Sequence, residues 1–238
     1  MPLRTLWKLS GIGVVLTIHW LFFYGAIKYS NVSFTLSLFA STTLFTALIE
    51  PVITEKKFNR LELLYSLIAM AGIFLIFHSD TNSYTTGLIL ALISAFVGAF
   101  FNILNKKVVH EVRSDIATFY EILTGLVVLT IFLPLYIHIF HPVALVPDTR
   151  NWILLFILSI ACTQIPLILS LNALRHLPAF TLNLAINLEP VYGIIIAFIV
   201  FNENKNLGGG FFAGTSLIML SVVLHTYLEN RKGNKVII

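Results

Sequence analysis

Residues 85–105 read TTGLILALISAFVGAFFNILN, twenty-one residues without one charged side chain. A helix needs about 20 such residues to cross the roughly 30 Å hydrocarbon core of a bilayer. The rest of the chain follows suit. Of its 238 residues 58% are hydrophobic and only 11% charged, with a mean hydropathy of +0.91. Soluble domains carry about 25% charged residues, so this chain cannot cover a water-facing surface. The composition excludes a soluble enzyme, a nucleic-acid reader and a disordered tail, and implies an all-α, polytopic membrane bundle. The lone Cys162 lies in an apolar run, which rules out an intramolecular disulfide.

Working outward, eight spans are expected, at about 9–27, 33–54, 61–78, 85–105, 116–139, 152–171, 179–201 and 208–228. They leave only short connections, the longest running from His138 to Asn151 around Pro142 and Pro147. The first span exceeds the 7–15 apolar residues of a signal peptide and reads as a retained helix. With the N-terminus inside, twelve of the 15 basic residues fall in cytoplasmic segments and three (Lys28, Arg150, Lys205) outside. The positive-inside rule then places both termini in the cytoplasm. The net charge of +4 is thus a topology signal, and no nucleic-acid partner is implied.

An internal repeat organises these spans. At an offset of 147 residues Ala26-Ile27-Lys28 falls on Ala173-Leu174-Arg175 and His78 on His225. Spans one to three then map onto spans six to eight, and spans four and five have no counterpart. Residues 1–80 form an incomplete first repeat of three helices, and 81–238 a complete second repeat of five. An odd number of helices per repeat inverts the copies, an arrangement typical of secondary transporters with a substrate site near midplane.

Specific residues extend the parallel. Ala26-Ile27-Lys28-Tyr29-Ser30-Asn31-Val32-Ser33 leading to Glu50-Pro51, and Ala173-Leu174-Arg175 leading to Asn187-Leu188-Glu189-Pro190 and Asn202-Glu203, resemble the EamA-type repeat of the drug/metabolite transporter superfamily. That family has ten helices in two inverted repeats of five, so the resemblance implies a member lacking the first two. It also implies gradient-coupled transport or exchange of small polar metabolites.

Three carboxylates lie within the spans: Glu50, Glu121 and Glu189. An ionised group there costs at least about 2.5–3.5 kcal/mol, so such residues face a cavity or a partner. Glu189 lies nearest midspan, and Pro190 leaves the Ile186 carbonyl free beside it. Its alternative role is a protonated lock between helices. Asn183 and Asn187 share a helix face about 160° from Glu189, with interhelical amide bonds as their plainer reading. Glu50 sits one turn from its helix end, within reach of interfacial water, Lys56 or Lys57. Glu121, one turn into the fifth span, suits gating or proton access, or a salt bridge to a loop lysine. His19 and Trp20 lie mid-span, where a histidine can change charge between pH 5 and 8. Gln164 lies at similar depth before Pro166. Thr42, in the hydroxyl run Ser41-Thr42-Thr43, is the repeat counterpart of Glu189. Asn102 and Asn105, near the inner end of the fourth span, read as solvated at the interface.

No HExxH, CxxC, GxxxxGK[ST] or carboxylate cluster with metal spacing occurs, so neither cofactor nor metal is expected. The expected activity is non-enzymatic: efflux of a small polar substrate, with protons as the coupling ion, by a multi-pass protein of the cell (inner or plasma) membrane. Two alternatives stand beside it. One is a membrane-embedded enzyme acting on lipid; the other is a truncated transporter inactive as a monomer, completed by a homodimer partner or by missing N-terminal helices.

Overall fold

The computed structural model describes residues 2–39, 41–79, 84–140, 146–186, 189, 192, 196 and 209–233. All regular structure among them is helical: α1 Leu3–Tyr29, α2 Val32–Phe39, α3 Thr42–Thr54, α4 Arg60–Ser79, α5 Thr85–Val108, α6 Ser114–Phe140, α7 Thr149–Ser159, α8 Ile165–Leu174, α9 Ala179–Ile186 and α10 Gly209–Gly233. Among the described residues four stretches are long and apolar enough to cross a membrane: Leu3–Tyr29, Thr85–Val108, Ser114–Ile139 and Thr149–Leu174. Large apolar side chains such as Leu126, Ile131, Trp152 and Phe156 are exposed, whereas Thr35, Thr43, Ser66, Ser94 and Glu121 are fully buried. That inversion suits lipid as the surrounding solvent.

Two expected spans are interrupted. The second divides at Ser41, where the chain turns between α2 and α3. There the Thr42 hydroxyl donates to the Phe39 carbonyl at 2.6 Å, and the Ser41 amide bonds three residues back to Leu38. Hydroxyls that compete for backbone acceptors favour such breaks. The sixth span carries a π-helical turn, Ile160–Gln164, between α7 and α8. Pro166 lacks the amide that would reach Cys162. The helix widens ahead of it, with Ile165 N–H bonding to Ile160 O and the Thr163 hydroxyl to Leu158 O at 2.8 Å.

The chain forms two compact units, Met1–Thr17 with Leu104–Leu177 and Ile18–Ile103 with Pro178–Ile238. Each draws segments from both expected repeats. In the first unit α1 meets α6 through small residues. A Cβ on Gly13 would lie 2.5 Å from the Glu121 carbonyl oxygen, and one on Gly125 would lie 2.8 Å from the Thr17 hydroxyl. Both pairs advance by four residues, so the two helices run parallel across this contact. At the C-terminus of α8, Lys106 Nζ donates to the carbonyls of Leu174 at 2.6 Å and Leu177 at 2.9 Å, a favourable place for a cation.

In the second unit α4 packs along α10, around Ala69 and Ile218 at one level and Tyr65 and Val222 at another. Helix α3 turns its stripe Thr42, Thr43, Thr46, Ala47 and Glu50 inward toward α9, which buries Ala179, Phe180, Leu182, Asn183 and Leu184.

Candidate functional site

Helix α3 holds α9 at two levels. The Glu50 carboxylate, 2% exposed, accepts the backbone N–H groups of Ala179 at 3.1 Å and Phe180 at 2.9 Å. It therefore caps the first turn of α9 from another helix. Lys56 pairs with Glu62 at 3.1 Å instead, so the sequence expectation of a Glu50–Lys56 contact is not realised. One turn along, Asn183 Nδ2 donates to Thr46 Oγ1 at 2.7 Å, and Thr46 Oγ1 donates to the Thr42 carbonyl at 2.7 Å. Asn183 Oδ1 accepts from Asn102 Nδ2. Residues 46 and 50 ascend while 183 and 179 descend, so α3 and α9 are antiparallel. This ladder of donors and acceptors fastens α3, α5 and α9.

Asn102 was expected to be solvated at the interface. The structure gives it to Asn183 instead, because the buried Asn183 amide would be costly to leave unpaired and Asn102 supplies the donor its oxygen needs. Thr46, which the sequence reading missed, is signalled only by its spacing of four from Thr42.

In the same unit His19 is half-buried, its ring flanked by Phe23 and Phe39 at centroid distances of 6.0 and 5.4 Å. His19 Nδ1 lies 3.0 Å from the Ser94 carbonyl, while the Ser94 hydroxyl donates to the His19 carbonyl at 3.1 Å. With the hydroxyl proton so used, the pattern is satisfied when Nδ1 carries the ring proton and Nε2 is left as an acceptor. Trp20 is half-buried beside it, Gln164 is exposed on the π-helical turn, and Glu189 is exposed. Asn187 lies outside the described residues.

The first unit holds a different kind of cluster. Glu121 is 0% exposed, Asn105 1% and Thr118 3%. Among the described residues, neither carboxylate oxygen, neither polar atom of Asn105 nor the Thr118 hydroxyl makes a hydrogen bond of good geometry. Thr118 and Glu121 are three apart on one face of α6, and the Asn105 side chain lies next to the Glu121 carboxyl. Thr124 and Thr130 return their hydroxyls to carbonyls four residues back at 2.8 and 2.7 Å; Thr118 does not. Asn105 thus departs from the expected interfacial solvation, because the α5–α6 turn folds it against α6. Nor does Glu121 meet a lysine among the described residues. Buried oxygens left open around a carboxyl are equipped to take and release a proton.

The loop acid that does find a lysine is Glu111, which accepts from Lys8 Nζ and, at 3.0 Å, from Thr5 Oγ1. The Lys8 hydrogen bond first, then that of Thr5, holds its carboxyl below the usual carboxylate range. A depressed folded value means that the link stabilises above the ordinary titration near pH 4.3 and is lost as pH falls through the folded value. The melting difference between wild type and Glu111→Gln is therefore expected to hold steady from pH 7 to about 5 and to shrink as the pH falls below about 4.3. A difference unchanged at pH 3 would contradict this.

Comparison with known proteins now bears on this arrangement. A solved crystal structure matches with a TM-score of 0.71 at 15% identity, covering 97% of this chain and 78% of the other, and so shares its fold. No curated protein sequence matches. The model of the EamA-like transporter family matches residues 85–227, from the start of α5 into α10 and across all three clusters' α5, α6 and α9 members. A match over more than half of the chain, with helices that turn apolar faces outward and polar groups inward, shows that this multi-pass membrane protein belongs to the EamA-like transporter family of the drug/metabolite transporter superfamily.

Proposed function

We propose that the chain is a secondary transporter that exports small polar metabolites across the cell membrane, driven by protons bound at Glu121. The observation that carries this reading is the buried Glu121 carboxyl with its unbonded neighbours Asn105 and Thr118. Ionised in apolar surroundings, Glu121 is costly; neutral, it is tolerated. One access state would favour the proton and the other would release it, which links proton movement to the change of state.

The eight-span topology, with both termini in the cytoplasm, belongs to the same reading. The parallel α1–α6 contact and the antiparallel α3–α9 contact support it, since that topology makes the first and fifth spans parallel and the second and seventh antiparallel. The division into inverted repeats, 1–80 and 81–238, is part of the same proposal. His19, Trp20, Asn183, Asn187, Thr42, Gln164 and Glu189 remain candidates for substrate contact. Glu50, tied into the first turn of α9, serves to position the neighbouring Asn183.

Reconstituted protein should accumulate one class among radiolabelled amino acids, polyamines and nucleosides, saturably and faster than protein-free liposomes. Uptake equal to that of empty liposomes for all three classes would overturn the proposal.

A further inference from the structure

In the first unit an open cavity of about 460 Å³ lies between the start of α6 and the end of α8, lined by Arg113, Ser114, Asp115, Ile168, Asn172 and Arg175. Its charges are unequally spent. Arg113 grips Asp115 with both arms, Nε to Oδ1 at 3.2 Å and Nη2 to Oδ2 at 2.8 Å, so the one acid is already neutralised. Arg175 forms no ion pair with an acid among the described residues. It is anchored instead by Nη2 to the Val112 carbonyl at 2.7 Å and Nε to Ser114 Oγ at 3.4 Å. Of the five N–H groups of a guanidinium, three stay uncommitted to these acceptors. Ser114 Oγ donates to Asn172 Oδ1 at 2.6 Å, so Asn172 has only its NH2 to present to a ligand. The N-terminus of α6 adds its positive dipole end at Ser114.

The cavity thus offers donors and a net positive charge, which call for an anionic, oxygen-rich ligand. Its apolar side names the source. Ile168 forms part of the lining, and beyond it Ile116, Ile165 and Leu169 stand 38%, 50% and 61% exposed. The 18-residue apolar window of Thr149–Leu174 is 0% buried, an apolar surface of the kind that acyl chains solvate. A ligand with a phosphate at the helix ends and an acyl chain along α8 uses both features; a soluble phosphate uses only the first.

We propose that this cavity binds the headgroup of an anionic phospholipid, with its phosphate on Arg175, Asn172 and the start of α6. Basic pockets at the membrane surface between transmembrane helices suit such headgroups. The site is separate from Glu121 and does not depend on the transport reading.

The test is thermal unfolding of the full-length protein in neutral detergent, with phosphatidylglycerol or phosphatidylcholine added at equal mole fraction. Phosphatidylglycerol at about a hundredfold above its Kd should raise the Tm by about 5–10 °C more than phosphatidylcholine. That increment should disappear in Arg175→Gln and in Ile168→Trp, which fills the cavity without touching a charge. It should persist in Arg150→Gln, at the start of α7. Soluble glycerol phosphate should give no shift. Equal effects of the two lipids, an equal shift with glycerol phosphate, or an increment that survives Ile168→Trp would each overturn the proposal. Should Arg175→Gln fail to fold, Ile168→Trp decides alone.

Discussion

Glu50→Ala is expected to destabilise the protein by about 2–3 kcal/mol, a drop in Tm of about 5–10 °C for a chain of this size. Helix α9 begins at Ala179 after His176-Leu177-Pro178, and none of these offers the side-chain acceptor that usually closes a helix start. The Glu50 carboxylate does so from α3, with both oxygens engaged and 2% of the residue exposed. Alanine would leave two N–H groups unpaired where water does not replace the acceptor. Glu50→Gln keeps one acceptor and should lose about half as much. Stability of Glu50→Ala within about 0.5 kcal/mol of wild type would contradict this assignment, since that is the scale of an ordinary surface substitution.

Glu121→Gln should move stability the other way. Ionised at 0% exposure, the carboxylate carries a charge-desolvation cost that a neutral amide of the same shape does not, and against the protonated acid the amide is about an even exchange. The variant is therefore expected to be at least as stable as wild type while losing proton-coupled flux. Gain of stability with loss of function is the mark of a group retained for its work. Glu62 is the control: it is 5% exposed, but accepts from Lys56 and Asn59, each at 3.1 Å. Glu62→Gln should lose stability and keep its flux. Opposite signs at two buried glutamates would be read in one series of melting curves. Destabilisation in both would show that Glu121 is a structural lock.

Much of this fold was legible in the sequence because bilayer thickness makes span length a direct signal. Residues 85–105 were expected to be helical and lie within α5, and the expected spans at 9–27 and 116–139 lie within α1 and α6. The interruptions were harder. Hydroxyls at Ser41, Thr42 and Thr43 and the proline at 166 were visible, but a break or a π-turn depends on which backbone groups find other partners. The polar contacts were hardest. A helix apolar on every side gives no periodicity from which to read its inward face. Nothing local tells Glu50 that it will meet Ala179, 129 residues on, or Lys8 that it will meet Glu111, 103 residues on. Asn102 and Asn105 look alike at a spacing of three, yet one is bonded to Asn183 and the other is left open beside Glu121.

Proton movement through reconstituted protein tests the central claim most directly. Proteoliposomes loaded with the pH dye pyranine and challenged with the metabolite class found to be transported should show a lumenal pH change that follows uptake. Glu121→Gln should abolish that change and Glu62→Gln should preserve it. Substrate uptake with no pH change in wild type, or an undiminished pH change in Glu121→Gln, would contradict the account.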